Sequence, residues 1–241
     1  MKNKFLIIFF FFIFFTTSHG EELKVNSSKI KIDNEKNILY LNKDVKVVDY
    51  KNNQFLTDAA IYNKKLDFFE TKSETKFISS DGYQTIGKNI SYDKKKGIIS
   101  SLEESKLIDP DGNELFLNNF TYSVEKNIFK SSGKIKFLDN KGNNYFFSQI
   151  YVDTQKKKMV GSDVKMFLNQ DDFKIDKRND PRFFANTLNM TNKKKEFQKG
   201  IFTYCKLKNN DDCPPWTLQA EKIKHDEATK TIYYDNAVLK I

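Results

Sequence analysis

Apolar and polar residues along this chain recur with a period of thirty residues, without a gap, from about Ser28 to Leu168. Ile30 and Ile32, Ala60 and Tyr62, Ile90 and Tyr92, Phe120 and Tyr122, and Ile150 and Val152 stand in one column. Ile38-Leu39, Phe68-Phe69, Ile98-Ile99 and Ile128-Phe129 form a second. Val47-Val48, Phe77-Ile78, Leu107-Ile108, Phe137-Leu138 and Phe167-Leu168 form a third, and Leu56, Ile86, Phe116 and Phe146 a fourth. A period of this length describes stacked supersecondary units that bury a shared core. Inside a unit the alternation is twofold: Phe120, Tyr122 and Val124 against Asn119, Thr121 and Ser123, and Lys29-Ile30-Lys31-Ile32 at the start. That pattern predicts strands with one dry and one wet face.

Turn formers fall between the columns in two rows. One row lies at Asp33 to Asn37, Asn63 to Lys65, Asp93 to Gly97, Glu125 to Asn127 and Asp153 to Lys157. The other lies at Asn52-Asn53, Asp81-Gly82, Asp111-Gly112 and Lys141-Gly142. Such residues accept the positive φ of tight reversals, which makes successive strands antiparallel neighbours, two per repeat. Each segment between turns is long for one strand and has a polar break near its middle, at Glu70 to Thr75, Ser100 to Ser105, Lys130 to Lys134 and Gly161 to Asp163. A bend there folds the ribbon over on itself. The expected fold is all-β: an antiparallel, bent-strand, V-shaped β-jelly roll of about five thirty-residue two-strand repeats, apolar columns inside. A parallel β-helix is the rival, disfavoured by the tight reversals. A membrane barrel is a third option, weakened by Lys and Glu on the would-be lipid face.

Four segments follow. Residues 1–20 read as a secretory signal peptide: Lys2 and Lys4 precede an apolar run, Phe5 to Phe15, too short to span a bilayer, with small residues up to Gly20. An uncleaved anchor is the rival reading. Residues 21–168 are the repeat jelly roll. Residues 169–199, polar and containing Asp180-Pro181, read as an excursion or a closing strand outside the repeat. Residues 200–241 form a closing segment marked by Cys and Trp, whose end resembles one more turn of the repeat. Abundant Phe and Tyr with only four prolines favour strands. The formal charge of +9 makes the surface basic, compatible with anionic lipid or polysaccharide. Export removes nucleic acid as a partner, and most lysines read as a solvated strand face.

Little here points to catalysis. Past the signal segment the chain keeps one histidine, His225, and two cysteines, too few for a zinc tetrad or a His-based triad. No phosphate cradle or separable acid/base pair stands out, so the expectation is no enzyme, no metal and no cofactor. Cys205 and Cys213 bracket a short polar loop in an exported protein, and a disulfide is the default reading. Pairing with each other is the simplest case; pairing with cysteines of another segment or chain is the other.

Phe202-Thr203-Tyr204-Cys205, then Cys213-Pro214-Pro215-Trp216-Thr217-Leu218-Gln219-Ala220-Glu221-Lys222-Ile223, then Tyr234-Asp235-Asn236-Ala237 resemble the signature of the lipopolysaccharide-assembly protein family of the Gram-negative outer membrane, also called organic solvent tolerance protein. The repeats resemble its N-terminal periplasmic (OstA-like) domain, itself similar to the soluble bridge proteins of the same transport system. The likeness covers about Ser28 to Ile241. It implies a jelly roll on the periplasmic side of the cell outer membrane. Its apolar interior would receive lipopolysaccharide from a periplasmic bridge protein of the same superfamily and pass it to an outer-membrane barrel with its plug lipoprotein. The family pattern continues into that barrel, which is missing here, and has four cysteines where this chain has two. On this reading the inward columns, Ala60, Tyr62, Ile90, Tyr92, Phe120, Tyr122, Ile150 and Val152, meet lipid. The alternative is an exported structural or adhesive β-repeat protein whose columns are only core.

Overall fold

The computed structural model describes residues 23–169, 180–205, 216–226, 228–229 and 231–241. The signal-peptide reading of residues 1–20 and Cys213 lie outside them, as does the Cys205 side chain. Among the described residues every regular element is a strand and every pairing is antiparallel. The first strands are β1 (Lys24–Asn26), β2 (Lys29–Asp33), β3 (Ile38–Val48) and β4 (Gln54–Asn63). The central repeats carry β5 (Phe68–Thr71), β6 (Thr75–Ile78), β7 (Gln84–Gly87), β8 (Ser91–Asp93), β9 (Ile98–Ser101), β10 (Ser105–Ile108), β11 (Glu114–Leu117) and β12 (Phe120–Ser123). Long strands resume with β13 (Ile128–Leu138), β14 (Asn144–Asp153), β15 (Lys158–Phe167), β16 (Asp180–Met190), β17 (Lys194–Cys205) and β18 (Thr217–Asp226), closed by β19 (Thr231–Asp235) and β20 (Val238–Lys240).

The turns set the period. Asn37, Asp67, Gly97, Asn127 and Lys157 all have φ between 49° and 62°, one per thirty residues. Asn52, Gly82, Gly112 and Gly142 do the same in the other row, with φ of 66° to 86°. Left-handed backbone costs an ordinary residue about 1–2 kcal/mol and a glycine almost nothing, which explains the Asn, Asp and Gly at all of these positions but Lys157.

The bends split each strand between two layers. In β3 the register slips between Asn42 and Val45, with Lys43 and Asp44 left-handed, and in β13 between Ser132 and Ile135 around Gly133. In the central repeats the break is complete. One ladder there runs β4–β5–β8–β9–β12–β13, the other β4–β6–β7–β10–β11–β13. The first layer therefore starts at β2 and ends at β19, and the second starts at β1 and ends at β20.

The layers face each other across one core. Phe55 of the second layer lies 5.1 Å from Phe69 and 5.9 Å, stacked, from Tyr92 of the first, and Phe77 lies 5.7 Å from Tyr122. Burying each such ring contributes roughly 1.5–3 kcal/mol. At Gly161 a Cβ would come within 2.3 Å of the Phe147 ring, so the phenyl lies where a side chain would have been.

Two expectations need correction. The fourth column, Leu56, Ile86, Phe116 and Phe146, is not inside: its chain neighbours Phe55, Thr85, Leu115 and Tyr145 are the buried ones, and a one-residue step along a strand changes face. Phe116 and Phe146 are each 39 % exposed. Residues 180–199 are no excursion either. Strands β16 and β17 continue both ladders, with Phe183, Leu188 and Phe197 buried; most of their polar residues belong to the outer face and the turn, Lys195 and Thr203 being buried exceptions.

Candidate functional site

The eight inward positions come together as a single wall. Ala60, Tyr62, Ile90, Tyr92, Phe120, Tyr122, Ile150 and Val152 all lie on the inner face of the first layer and are all buried. Register makes the wall continuous: Leu39 pairs with Tyr62, Tyr62 with Phe69, Phe69 with Tyr92, Tyr92 with Ile99, Ile99 with Tyr122, Tyr122 with Phe129 and Phe129 with Val152. The opposing wall is the third column, Val47, Phe77, Leu107 and Phe137, joined by Phe55, Leu115 and Tyr145 between its members. The middle of this space is filled by side chains. Burial pushes the Tyr122 phenol up to about 12, the mark of a ring held in an apolar surround.

The space opens at the amino-terminal end. A cavity of about 500 Å³ lies there between Leu23 and Val25 of the second layer and Leu39 and Tyr62 of the first, with Lys64, Asp67 and Lys94 at its rim. The Tyr62 hydroxyl donates to Asp67 at 3.1 Å, and Lys94 approaches the same carboxylate at 3.8 Å. The mouth thus sets the side chains of Leu23, Val25, Leu39 and Tyr62 beside a polar rim of two ammonium groups and a carboxylate, an amphipathic opening. Beyond it the first layer's inner face is bare: Ile30 and Ile32, which pair with Leu41 and Leu39, are 46 % and 60 % exposed. Among the described residues strand β2 pairs only with β3, which makes it an edge there. At the far end Leu239, on the inner face beside Leu218, is 57 % exposed, and β20 is likewise an edge.

Along the lip opposite the bends the two rows of turns touch. Lys51 donates to the Val124 carbonyl at 3.0 Å and pairs with Glu125 at 3.1 Å, and the Tyr50 hydroxyl also donates to Glu125. Thr154 donates to Asp81 at 2.9 Å, Asn192 to Asp111 at 3.1 Å, and Lys195 meets Asp139 at 3.5 Å. The first two contacts join residues 73 to 75 apart, about two and a half thirty-residue periods. That offset places the turns at Asn37 and Asp67 ahead of the first latched pair, where the mouth lies.

Magnitudes decide what this arrangement can do. Exposed polar contacts such as Lys51–Glu125 are each worth about 0–1 kcal/mol, so the lip is weakly held there, while the buried Lys195–Asp139 pair further along holds it more firmly. Separating the ring contacts beneath costs several times more unless apolar chain takes their place, at about 0.8 kcal/mol per buried methylene. Opening the interior is therefore favourable only where apolar material replaces the ring contacts, which water does not do. Sequence reasoning missed Leu23, Val25, Lys64 and Lys94 as a mouth, since their approach depends on the offset of the layers. His225 sits on β18, paired with Lys195 and Ile232.

No protein in the curated set matches this chain. Among solved structures, the crystal structure of LptH, the LptA-homologous periplasmic component of the lipopolysaccharide transport device of Pseudomonas aeruginosa, is similar over 56 % of this chain and 78 % of that one, at 12 % identity and a TM-score of 0.24. Residues 9–106, from within the N-terminal apolar run of the sequence into β10, match the model of the lipopolysaccharide-assembly, LptC-related family.

Proposed function

We propose that this chain is a periplasmic lipopolysaccharide carrier. Acyl chains seat at the amino-terminal mouth, between Val25 and Tyr62, and pass between the layers while Lys64 and Lys94 face the anionic sugar. The observation that carries this reading is the amphipathic mouth at the amino-terminal end of a continuous apolar core between the layers. The match of residues 9–106 to a lipopolysaccharide-assembly family supports it. An open β2 edge is suited to strand addition by a bridge protein of the same superfamily. The likeness of residues 202–237 to the outer-membrane assembly protein favours a further step, in which the far end hands the molecule to an outer-membrane barrel and its plug lipoprotein. The exported chain then works at the periplasmic side of that membrane, as a carrier with no reaction of its own.

A disulfide engineered across the lip at Asp81 and Thr154 tests this. Closing it should abolish lipopolysaccharide passage, and reductant should restore it. Replacing Tyr62 with Asp should weaken binding, because a carboxylate in the apolar mouth costs desolvation. Full binding and passage in both variants would favour the second reading, an exported structural β-repeat protein, for which the filled core of Tyr92 and Tyr122 speaks.

A further inference from the structure

The outer face of the second layer carries a ladder that the lipid path does not use. Lys46, Lys76, Lys106, Lys136 and Lys165 lie in one row across the strands, and each is followed in register by an apolar partner. Those partners are Leu56, Ile86, Phe116, Phe146 and Phe184, so the row alternates cation and hydrophobe through ten consecutive strand positions. Of the five lysines only Lys106 forms an ion pair among the described residues, with Glu114 at 2.6 Å, and its ammonium lies 5.5 Å above the Phe116 ring. A groove of about 860 Å³ runs over Ile86, Phe116 and Phe146, with Lys106 and Lys136 on its floor and Glu74, Glu103 and Glu104 on the side of the bend.

We propose that this face rests on an anionic lipid bilayer. Side chains on one face of a sheet project together, so exposed phenyl rings and lysines reach a common plane. Rings at that depth enter the headgroup region while lysine stems lie along them and carry their ammonium groups to lipid phosphates. Exposed rings spaced along a regular cationic row are what such a surface requires, and an isolated solvated face would not need them. Glu74, Glu103 and Glu104 stand on the bend side of the row together with Lys88 and Lys134, whereas the next positions toward the lip are mostly uncharged, with Ile78, Ile108, Leu138 and Phe167 among them and Glu114 as their acid, so contact is made along the lysine row itself and on its lip side. This inference goes beyond the proposed transport and does not depend on it.

Face-specific lipid labelling with the full chain tests the idea. Photoreactive benzoyl-phenylalanine would replace Phe116 or Phe146, with Tyr151, an exposed ring on the outer face of the first layer, as control. Vesicles of phosphatidylglycerol and phosphatidylethanolamine would be compared with vesicles of phosphatidylcholine alone. Labelling of the anionic vesicles from positions 116 and 146 should exceed that from 151 by roughly tenfold or more, and should fall by a similar factor when Lys76, Lys106, Lys136 and Lys165 are all changed to Gln. Changing the same four to Arg should preserve it, which separates loss of charge from loss of fold. Equal labelling from position 151, labelling indifferent to lipid charge, or crosslinking of a second copy in place of lipid would overturn the proposal.

Discussion

Pro110 stands 27 residues after Tyr83, at the one described turn of its row where the inter-repeat hydrogen bond is not made. Elsewhere an asparagine of one repeat accepts the backbone N–H of the next through its Oδ1: Asn53 from Ser80 at 2.9 Å, Asn113 from Asn140 at 2.8 Å and Asn143 from Asn169 at 2.8 Å. Where Tyr83 replaces the asparagine, the following residue in register is a proline with no N–H to donate. Each asparagine also ties its own turn, as Asn53 does by donating to Asp49 at 2.7 Å. The stack is thus stitched along the lip by these asparagine links, with a gap at Tyr83 and Pro110.

Removing a stitch should loosen the stack. Asn53→Ala deletes a buried side chain with two hydrogen bonds and should cost about 1–3 kcal/mol in chemical denaturation. Tyr83→Asn, by contrast, should gain no link unless Pro110 is changed as well. A stabilised Tyr83→Asn single variant would contradict the pairing.

The lip depends most on Asp139. Its carboxylate accepts from the backbone of Lys141 and Asn143, from the Asn143 amide and from the Tyr145 hydroxyl at 3.0 Å, and it faces buried Lys195. Asp139→Ala should cost about 3–5 kcal/mol, because it strips a counter-charge from a buried ammonium. Adding Lys195→Met to that variant should recover part of the loss. A double variant as unstable as the single one would show that the turn, and not the pair, sets the cost.

Alkaline stability should report on the interior. Unfolded tyrosine titrates near 10, whereas desolvation pushes Tyr122 up to about 12 and raises buried Tyr83 too, with Asp109 and Asp111 adding to it. Above about pH 10 the unfolded chain releases protons that the folded chain keeps, so this contribution is whole below pH 10 and is lost as pH rises toward 12. Tyr122→Phe should flatten that decline, measured as denaturation midpoints across the range. An unchanged slope would mean that the phenol is reached by solvent.

Thr85 sits fully buried between Phe77 and Leu107, and its hydroxyl has no hydrogen-bond partner among the described residues. Thr85→Val keeps the shape, removes the unmet polar atom and should stabilise by about 1 kcal/mol. A destabilised variant in urea titration would reveal a partner for the hydroxyl.

Much of this architecture was legible in the chain. The thirty-residue period survives because left-handed positions such as Asn37, Gly97 and Asn127 recur at fixed spacing, and the inward columns follow from the alternation around Tyr92 and Tyr122. The fourth column was misread because Phe55-Leu56 and Leu115-Phe116 are adjacent apolar pairs, and pattern alone does not say which member faces in. The lysines opposite Leu56, Ile86, Phe116 and Phe146 in register were the available signal. Strands β16 and β17 were hidden by their polar outer residues, although Phe183 and Ala185 keep the two-residue spacing. The mouth and the lip bring together residues such as Asp81 and Thr154, and no local pattern encodes that offset.

The central claim, that acyl chains travel between the layers, is tested most directly by site-specific photocrosslinking during lipopolysaccharide transport. Probes would replace Tyr62, Ile90, Phe120 and Ile150 on the inner face of the first layer, and Ser91 and Thr121 on its outer face. Lipopolysaccharide should label from the four inner positions, first from Tyr62 at the mouth and then from Ile150, with little from Ser91 or Thr121. Equal labelling of the two faces, or none from the inner one, would contradict the account and leave the columns as core alone.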